Sequence, residues 1–407
     1  MKKTIKLAVV AALALGTTSA FATNGAALIG MGAEARGMAG TGIGMAHGAE
    51  SALVNPALIT SVKNTEISFG GTFFMPDVSY ASQGGTTADS DDDLSVIPEV
   101  SLATKINDNF YVGIGMWGTG GMGVDYRDAA ASAGTMNMVT NLQLMQFGVP
   151  LAYTTNGFSV ALTPILQYGS LDINYDMDGN PSNGVMGMGV AQDLEFGYNI
   201  GLAYEISGFT VGAIYKSQID MEYKGFANLV QPFINPGSPA YTNNKLSTPA
   251  EMGLGVSYAM AEHTFALDYK QIKWSDAKGY EDFEWDDQNV ISLGYEYKTT
   301  GWAARVGYNY ASSPISEKSI AYNNSAGLNG DTINMFNLLG FPGIVESHYA
   351  VGGTYSLNEQ TSVDLAFTYA PEKTETYKAY NRTAGREYDI TAKHSQTGVS
   401  AQLNYNF

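Results

Sequence analysis

The chain ends Val399-Ser400-Ala401-Gln402-Leu403-Asn404-Tyr405-Asn406-Phe407, and this stretch decides how the rest is read. Val399, Ala401, Leu403, Tyr405 and Phe407 form an apolar row, and Ser400, Gln402, Asn404 and Asn406 a polar one. Successive side chains of a strand point to opposite faces, so strict alternation marks a strand with one apolar and one polar side. A last strand that closes on Phe407, with Tyr405 and Leu403 in register, fits the C-terminal signal read by the outer-membrane barrel assembly machinery. That machinery is the first partner the sequence leads us to expect.

The same period recurs upstream. Phe158, Val160, Leu162, Leu166 and Tyr168 alternate with Ser159, Ala161, Thr163 and Gln167. Phe265, Leu267 and Tyr269 do so against Thr264, Ala266, Asp268 and Lys270, and Trp302, Ala304, Val306, Tyr308 and Tyr310 against Ala303, Arg305, Gly307 and Asn309. Val363, Leu365, Phe367 and Tyr369 repeat the pattern. A soluble sandwich also alternates, but its apolar face is Val, Ile and Leu packed on a second sheet. Here aromatic residues gather near strand ends, as in a girdle at a membrane interface. The opposite face is Gly, Ser, Asn and Gln, which suits a wet or partly filled lumen. The expected fold is all-β: a transmembrane antiparallel β-barrel over residues 65–407, closed because lipid satisfies no open sheet edge.

Strand starts are expected near Thr65, Val96, Asn109, Leu142, Gly157, Asp193, Gly208, Pro249, His263, Gln288, Gly301, Val345, Thr361 and His394, about 14 strands. An even count is the rule for single-chain bacterial barrels. Short turns such as Ser207-Gly208 and Thr299-Thr300-Gly301 alternate with long links over 118–141, 172–192, 224–246 and 312–346. The short ones read as periplasmic and the long ones as outer loops.

Composition agrees. The chain has 407 residues, 47 glycines and 26 tyrosines, and only 15% of it is charged, against roughly 25% in a soluble domain. Its 21 Lys+Arg against 39 Asp+Glu give a net charge of −18, with no basic footprint for nucleic acid. The absence of cysteine excludes disulfides, thiolate metal sites and thiol nucleophiles together. At the N-terminus Lys2, Lys3 and Lys6 precede the apolar run Leu7 to Leu15, and Ala20-Phe21-Ala22 follows. This is the pattern of a secretory signal peptide over residues 1–22, cut before Thr23. No later stretch reaches the 18 or so apolar residues of a spanning helix, so the expected place is the bacterial outer membrane.

Residues 23–64 do not alternate. They are small, apolar and broken by glycine, as in Arg36-Gly37-Met38-Ala39-Gly40-Thr41-Gly42, and run on to Asn55-Pro56-Ala57. A periplasmic tail would be charged or rich in Pro and Ser; this segment reads as a plug, or hatch, packed in the lumen.

The hatch motif of Arg36, Gly37, Gly40, Asn55, Pro56 and Ala57 resembles that of the outer-membrane long-chain fatty acid and hydrocarbon transporters (FadL/TodX/OmpP1 type). The stretches Pro249 to Tyr258, Ala266 to Asp276 and Arg305 to Ile315 are similar to further blocks of that family. The resemblance implies a monomeric 14-stranded barrel that takes up hydrophobic small molecules passively. Ligand is captured at outer loops, held in a lumenal pocket and released sideways into the membrane at a kinked third strand. Gly113, Gly115, Gly118, Gly120, Gly121 and Gly123 fall on that strand and its exit, where glycine weakens pairing. Met122, Met136, Met138, Met177, Met186 and Met188 would give adaptable apolar contacts in the loops. Arg305, Lys216 and Lys270 take lumen-facing positions and are candidates for a fatty acid's carboxylate, or for pairing with lumenal acids such as Asp268 and Glu296. The alternatives are uptake of aromatic or aliphatic hydrocarbons on the same scaffold, or a general diffusion porin.

No cofactor, metal or catalytic role is expected. Gly113-x-Gly115-x-x-Gly118 spells a dinucleotide fingerprint but lies in an alternating strand rather than before a helix. Asp89-Ser90-Asp91-Asp92-Asp93 lacks the glycine and closing glutamate of a calcium loop. It reads as a solvated outer loop, bridged by cations to lipopolysaccharide. His47, His263, His348 and His394 are scattered, and there is no Gly-x-Ser-x-Gly elbow.

Overall fold

The computed structural model describes residues 23–82, 84–176, 184–382 and 384–407. The expected signal peptide at 1–22 and Met177 lie outside them. Fourteen barrel strands follow in chain order: β1 Thr65–Ser82, β2 Ser95–Lys105, β3 Phe110–Asp125, β4 Val139–Gly148 continued by Leu151–Thr155, β5 Phe158–Tyr175, β6 Ala191–Ile206 and β7 Phe209–Lys216. Then come β8 Glu251–Met260, β9 His263–Ile272, β10 Gln288–Lys298, β11 Trp302–Ala311, β12 Ser347–Ser356, β13 Thr361–Asn381 and β14 Arg386–Asn406. Each pairs antiparallel with the next, and β14 returns to β1 from Ile390↔Ser82 to Asn406↔Glu66, which closes the wall.

Several boundaries differ from the sequence reading, and β3 runs on to Asp125, into the expected 118–141 link. The last strand starts at Arg386, not His394. Here β13 and β14 rise as a hairpin with charge on both strands, and Lys378 pairs with Asp389. Its inner side is buried through Tyr377, Ala379, Ile390 and Ala392, but its outer side carries Lys378, Asp389 and Lys393 in place of the lipid-facing apolar row, so the barrel pattern cannot be read there. Strand β4 starts at Val139 and is interrupted at Val149-Pro150, because proline has no N–H to give to the ladder.

Burial is inverted relative to a soluble protein. Leu403 is 45% exposed and Gln402 only 4%. The apolar row faces outward all round, with Leu254, Phe265, Val306, Val351 and Leu365 exposed alongside it. Near the short turns the outward aromatics pair, Phe110 with Tyr153 at 5.0 Å and Phe209 with Tyr258 at 4.4 Å between ring centres. Such an exterior is stable only in lipid. No helix among the described residues is long and apolar enough to cross a membrane; the strands do so.

Of the two expectations for the lumen, wet or partly filled, the structure shows a filled one. Residues 23–62 turn inside the wall through α1 Gly32–Gly37, a 3₁₀ turn Gly48–Glu50, α2 Ser51–Val54 and a 3₁₀ turn Pro56–Ser61. Ala35, Met38, Ala49, Ala52, Ala57, Leu58 and Ile59 are fully buried there. At the outer end the loops carry short helices Phe226–Val230 and Gly330–Met335, joined by Phe233 packed on Phe336 at 4.8 Å.

Candidate functional site

The N-terminal segment is fastened to the wall by charge. The Arg36 guanidinium donates to both oxygens of Glu99 on β2, each at 2.7 Å. Glu34 reaches Arg305 on β11 at 2.9 Å, and Arg305 also meets Glu296 at 2.8 Å and Asp364 at 3.8 Å. Arg305, 4% exposed and enclosed by three carboxylates, does not reach the cavity described below. Asp268 accepts the backbone N–H groups of Gly42, Ile43 and Gly44 at 2.7, 2.8 and 3.3 Å rather than a cation.

The two halves of the hatch motif hold the chain's path. Gly40 sits at φ +88°, and a Cβ there would lie 1.7 Å from the Ile29 carbonyl oxygen, so no side chain fits. Gly37 packs against the backbone of Gly352. Asn55 caps the turn that Pro56 opens, accepting from Ala57 N–H at 3.1 Å. Its amide donates to the carbonyls of Ile43 at 2.7 Å and of Leu202 on β6 at 3.0 Å. One side chain therefore ties both arms of the segment to the wall.

Between this segment and the wall lies a cavity of about 70 Å³. Its apolar lining comes from Leu28, Ile29, Ile43, Leu53, Leu144 and Trp274. A polar patch is made by neighbouring inward positions: Asn199 on β6 is in register with Lys216 on β7, which is in register with Glu251 on β8. Lys270 on β9 joins them. Glu251 lies 3.5 Å from Lys216 and 3.2 Å from Lys270. The structure thus brings two of the three candidate cations together, on a shared carboxylate. Sequence reasoning did not single out Glu251 or Asn199; the usable signal was a charge or amide at an inward position of the period-two pattern.

Strand β3 is irregular where its glycines cluster. Its pairing with β2 ends at Glu99↔Trp117, and its register with β4 shifts between Gly118 and Gly120. Trp117 folds over Gly115, where a Cβ would lie 1.9 Å from the indole. The edge that β2 leaves is taken by the N-terminal segment, with Ala27 opposite Gly120 and Gly121 N–H donating to the Ala26 carbonyl at 3.1 Å. Gly113 lies lower, in the paired part of the strand. Met122 is on this strand rather than in a loop, and buried. Met138 is buried too, while Met136, Met186 and Met188 pack half-buried against the outer core.

Among the described residues no group of His, Asp and Glu is arranged to hold a metal. In the acidic loop Asp89, Asp91 and Asp93 are exposed, but one Asp92 carboxylate oxygen is buried without a hydrogen-bond partner. Burial, with Asp125 and Asp93 close by, pushes that carboxyl from 3.8 up to about 7.

A family model described as outer membrane protein transport protein (OMPP1/FadL/TodX) matches residues 8–323. The 47 kDa outer membrane protein of Pasteurella multocida is 25% identical over 90% of this chain and 92% of its own. The long-chain fatty acid transport protein of Escherichia coli K12 is 22% identical over 81% and 85%. Among solved structures, a Pseudomonas aeruginosa FadL homologue superposes with a TM-score of 0.71 at 17% identity, over 94% of this chain and all of that one. The Pseudomonas putida toluene transporter TodX does so with 0.68 at 18%, over 93% and 99%. With a closed 14-stranded wall, a lipid-facing exterior and a family match over most of its length, the chain belongs to the OMPP1/FadL/TodX family of outer-membrane transport proteins.

Proposed function

We propose that this barrel takes up hydrophobic compounds passively, long-chain fatty acids first among them, and performs no covalent chemistry. The observation that carries this reading is the cavity: apolar along Leu28, Ile29, Leu53 and Leu144, and cationic where Lys216 and Lys270 converge. An amphiphile with one anionic end has the same division. The N-terminal segment serves as the hatch, since Ile29, Leu53 and Val54 are part of the lining and must shift to admit a chain. Ligand partitions first into the outer loops around Met136, Met186 and Met188. It leaves between β2 and β3, where the ladder stops above Trp117 and Ala26 and Ala27 cover the edge at Gly120 and Gly121. The driving force is about 0.8 kcal/mol per methylene removed from water. Neutral aromatic hydrocarbons are the second reading, favoured by Trp274 and Tyr280 in the lining, with ring centres 4.7 Å apart.

The test is uptake of labelled oleate and a labelled alkylbenzene by cells lacking their own transporter and producing this protein. A variant deleted for residues 23–60, with its surface expression checked, runs in parallel. Uptake of either compound, altered by the deletion, supports the reading. Free passage of small sugars with exclusion of both compounds would make the protein a porin.

A further inference from the structure

We infer that Glu251 is a resident stand-in for the ligand's carboxylate between Lys216 and Lys270, and that these lysines with the Asn199 amide make the cavity selective for monoanionic rather than neutral amphiphiles. This rests on the uptake reading above and names the substrate class of the same cavity.

The argument starts from the charges that face one another. Lys216 ends β7 in register with Glu251, which begins β8, and Lys270 lies on β9 opposite Gly253, two residues along, so three consecutive strands bring the charges together. Both ammonium groups approach the same oxygen, Oε2 of Glu251. Their side chains are 20%, 15% and 11% exposed. The only other charge in the lining among the described residues, Asp268, is occupied by the N–H groups of residues 42–44. Two cations therefore share one carboxylate. A buried charge is costly unless it is paired, so Glu251 keeps the lysines tolerable while the cavity is empty and leaves one positive charge unanswered.

Asn199 supplies a second observation independent of charge. It is 4% exposed and lines the same cavity, and its Nδ2 has no hydrogen-bond partner. A buried donor left unmade costs free energy, and here it stands beside Lys216 in register. Two ammonium groups and an idle amide N–H describe the donors that a second carboxylate accepts. A ligand carboxylate entering there either joins Glu251 or takes its place between the lysines. A hydroxyl head group offers no charge to do either.

Equilibrium binding of labelled oleate and labelled oleyl alcohol at pH 8, to purified protein in phospholipid nanodiscs, tests this. Wild type should bind oleate about tenfold or more tightly than the alcohol, a difference of about 1.4 kcal/mol. Glu251→Gln removes the competing carboxylate but keeps the side chain's size, so oleate affinity should rise about tenfold and its preference over the alcohol should widen. Asn199→Leu alters no charge and should weaken oleate several-fold and narrow its preference over the alcohol, which keeps the test open if Glu251→Gln does not fold. Equal binding of the two ligands to wild type overturns the inference and leaves uptake standing. So does a Glu251→Gln protein whose preference for oleate is unchanged or lower, or an Asn199→Leu protein with undiminished oleate binding. Binding of neither ligand to wild type sinks the uptake reading and this inference with it.

Discussion

Arg36 of the N-terminal segment and Glu99 of β2 meet in a two-point ion pair, both contacts 2.7 Å, with neither side chain more than 5% exposed. Glu99 is also the last residue of β2 to pair with β3, opposite Trp117. The lock on the segment thus sits beside the place where the wall's ladder stops.

Breaking this pair leaves a buried carboxylate alone, which costs about 3–5 kcal/mol. Arg36→Ala should therefore free residues 23–62 for cleavage by added protease while the barrel keeps its heat-modifiable gel mobility. Arg36→Lys restores the charge but not the fork and should protect only partly. Wild-type protease resistance in Arg36→Ala would mean that the pair does not hold the segment.

Asn55 joins Ile43, Ala57 and β6 through one amide. Loss of the cap costs about 1 kcal/mol, and each buried carbonyl left without its donor adds about 1–3 kcal/mol. Hydrogen exchange should quicken over residues 43–58 in Asn55→Ala and stay unchanged in strands β10–β12. Uniform quickening would point to the whole barrel instead.

Gly40→Ala asks for a Cβ 1.7 Å from a carbonyl oxygen at a positive φ. A strained conformation of this kind costs on the order of 1–3 kcal/mol before the clash is counted. We expect the altered protein to assemble in the membrane but to pass small solutes in a liposome-swelling assay. A sealed barrel would show that the turn can be rebuilt.

Asp92 gives a pH dependence with a definite sign. Its carboxyl is raised from 3.8 to about 7, so the folded loop holds the proton more tightly than the unfolded chain. The stabilisation is complete below the ordinary value and is lost as the pH rises through about 7. Amide protection over residues 88–95 should fall between pH 5 and 8 (both chosen to bracket the transition), and Asp92→Asn should flatten the profile. A flat wild-type profile would contradict the burial argument.

Phe407 is 64% exposed and packs edge-on against Tyr405 at 4.7 Å. If the last strand is what the assembly machinery reads, Phe407→Asp should cut the amount of folded barrel in the outer membrane several-fold. Refolding in detergent micelles, where no machinery acts, should change little. An equal loss in both would make Phe407 a matter of stability alone.

How much of this was legible? The faces were, because the period of two in Val399 to Phe407 or Trp302 to Tyr310 is local and repeats. Inward placement of Arg305, Lys216 and Lys270 followed from the same period. The boundary at Arg386 did not, since the upper β13–β14 hairpin has charge rather than an apolar row on its outer side, while its inner side is buried through Tyr377, Ala379, Ile390 and Ala392. The packed lumen was only half legible: the polar row suits water and side-chain partners equally well.

By itself, then, the sequence determined the closed barrel, the lipid-facing side and the segment set apart from the strands, all consequences of local alternation and its absence. The tertiary structure alone decided which charge meets which. Period two tells a side chain's face, not its height in the barrel or what stands opposite. Those depend on strand register and on the path of residues 23–62 across the lumen. That is why Arg305 closes on Glu34, 271 positions earlier in the chain, while Lys216 and Lys270 share Glu251 beside an unpartnered Asn199 amide.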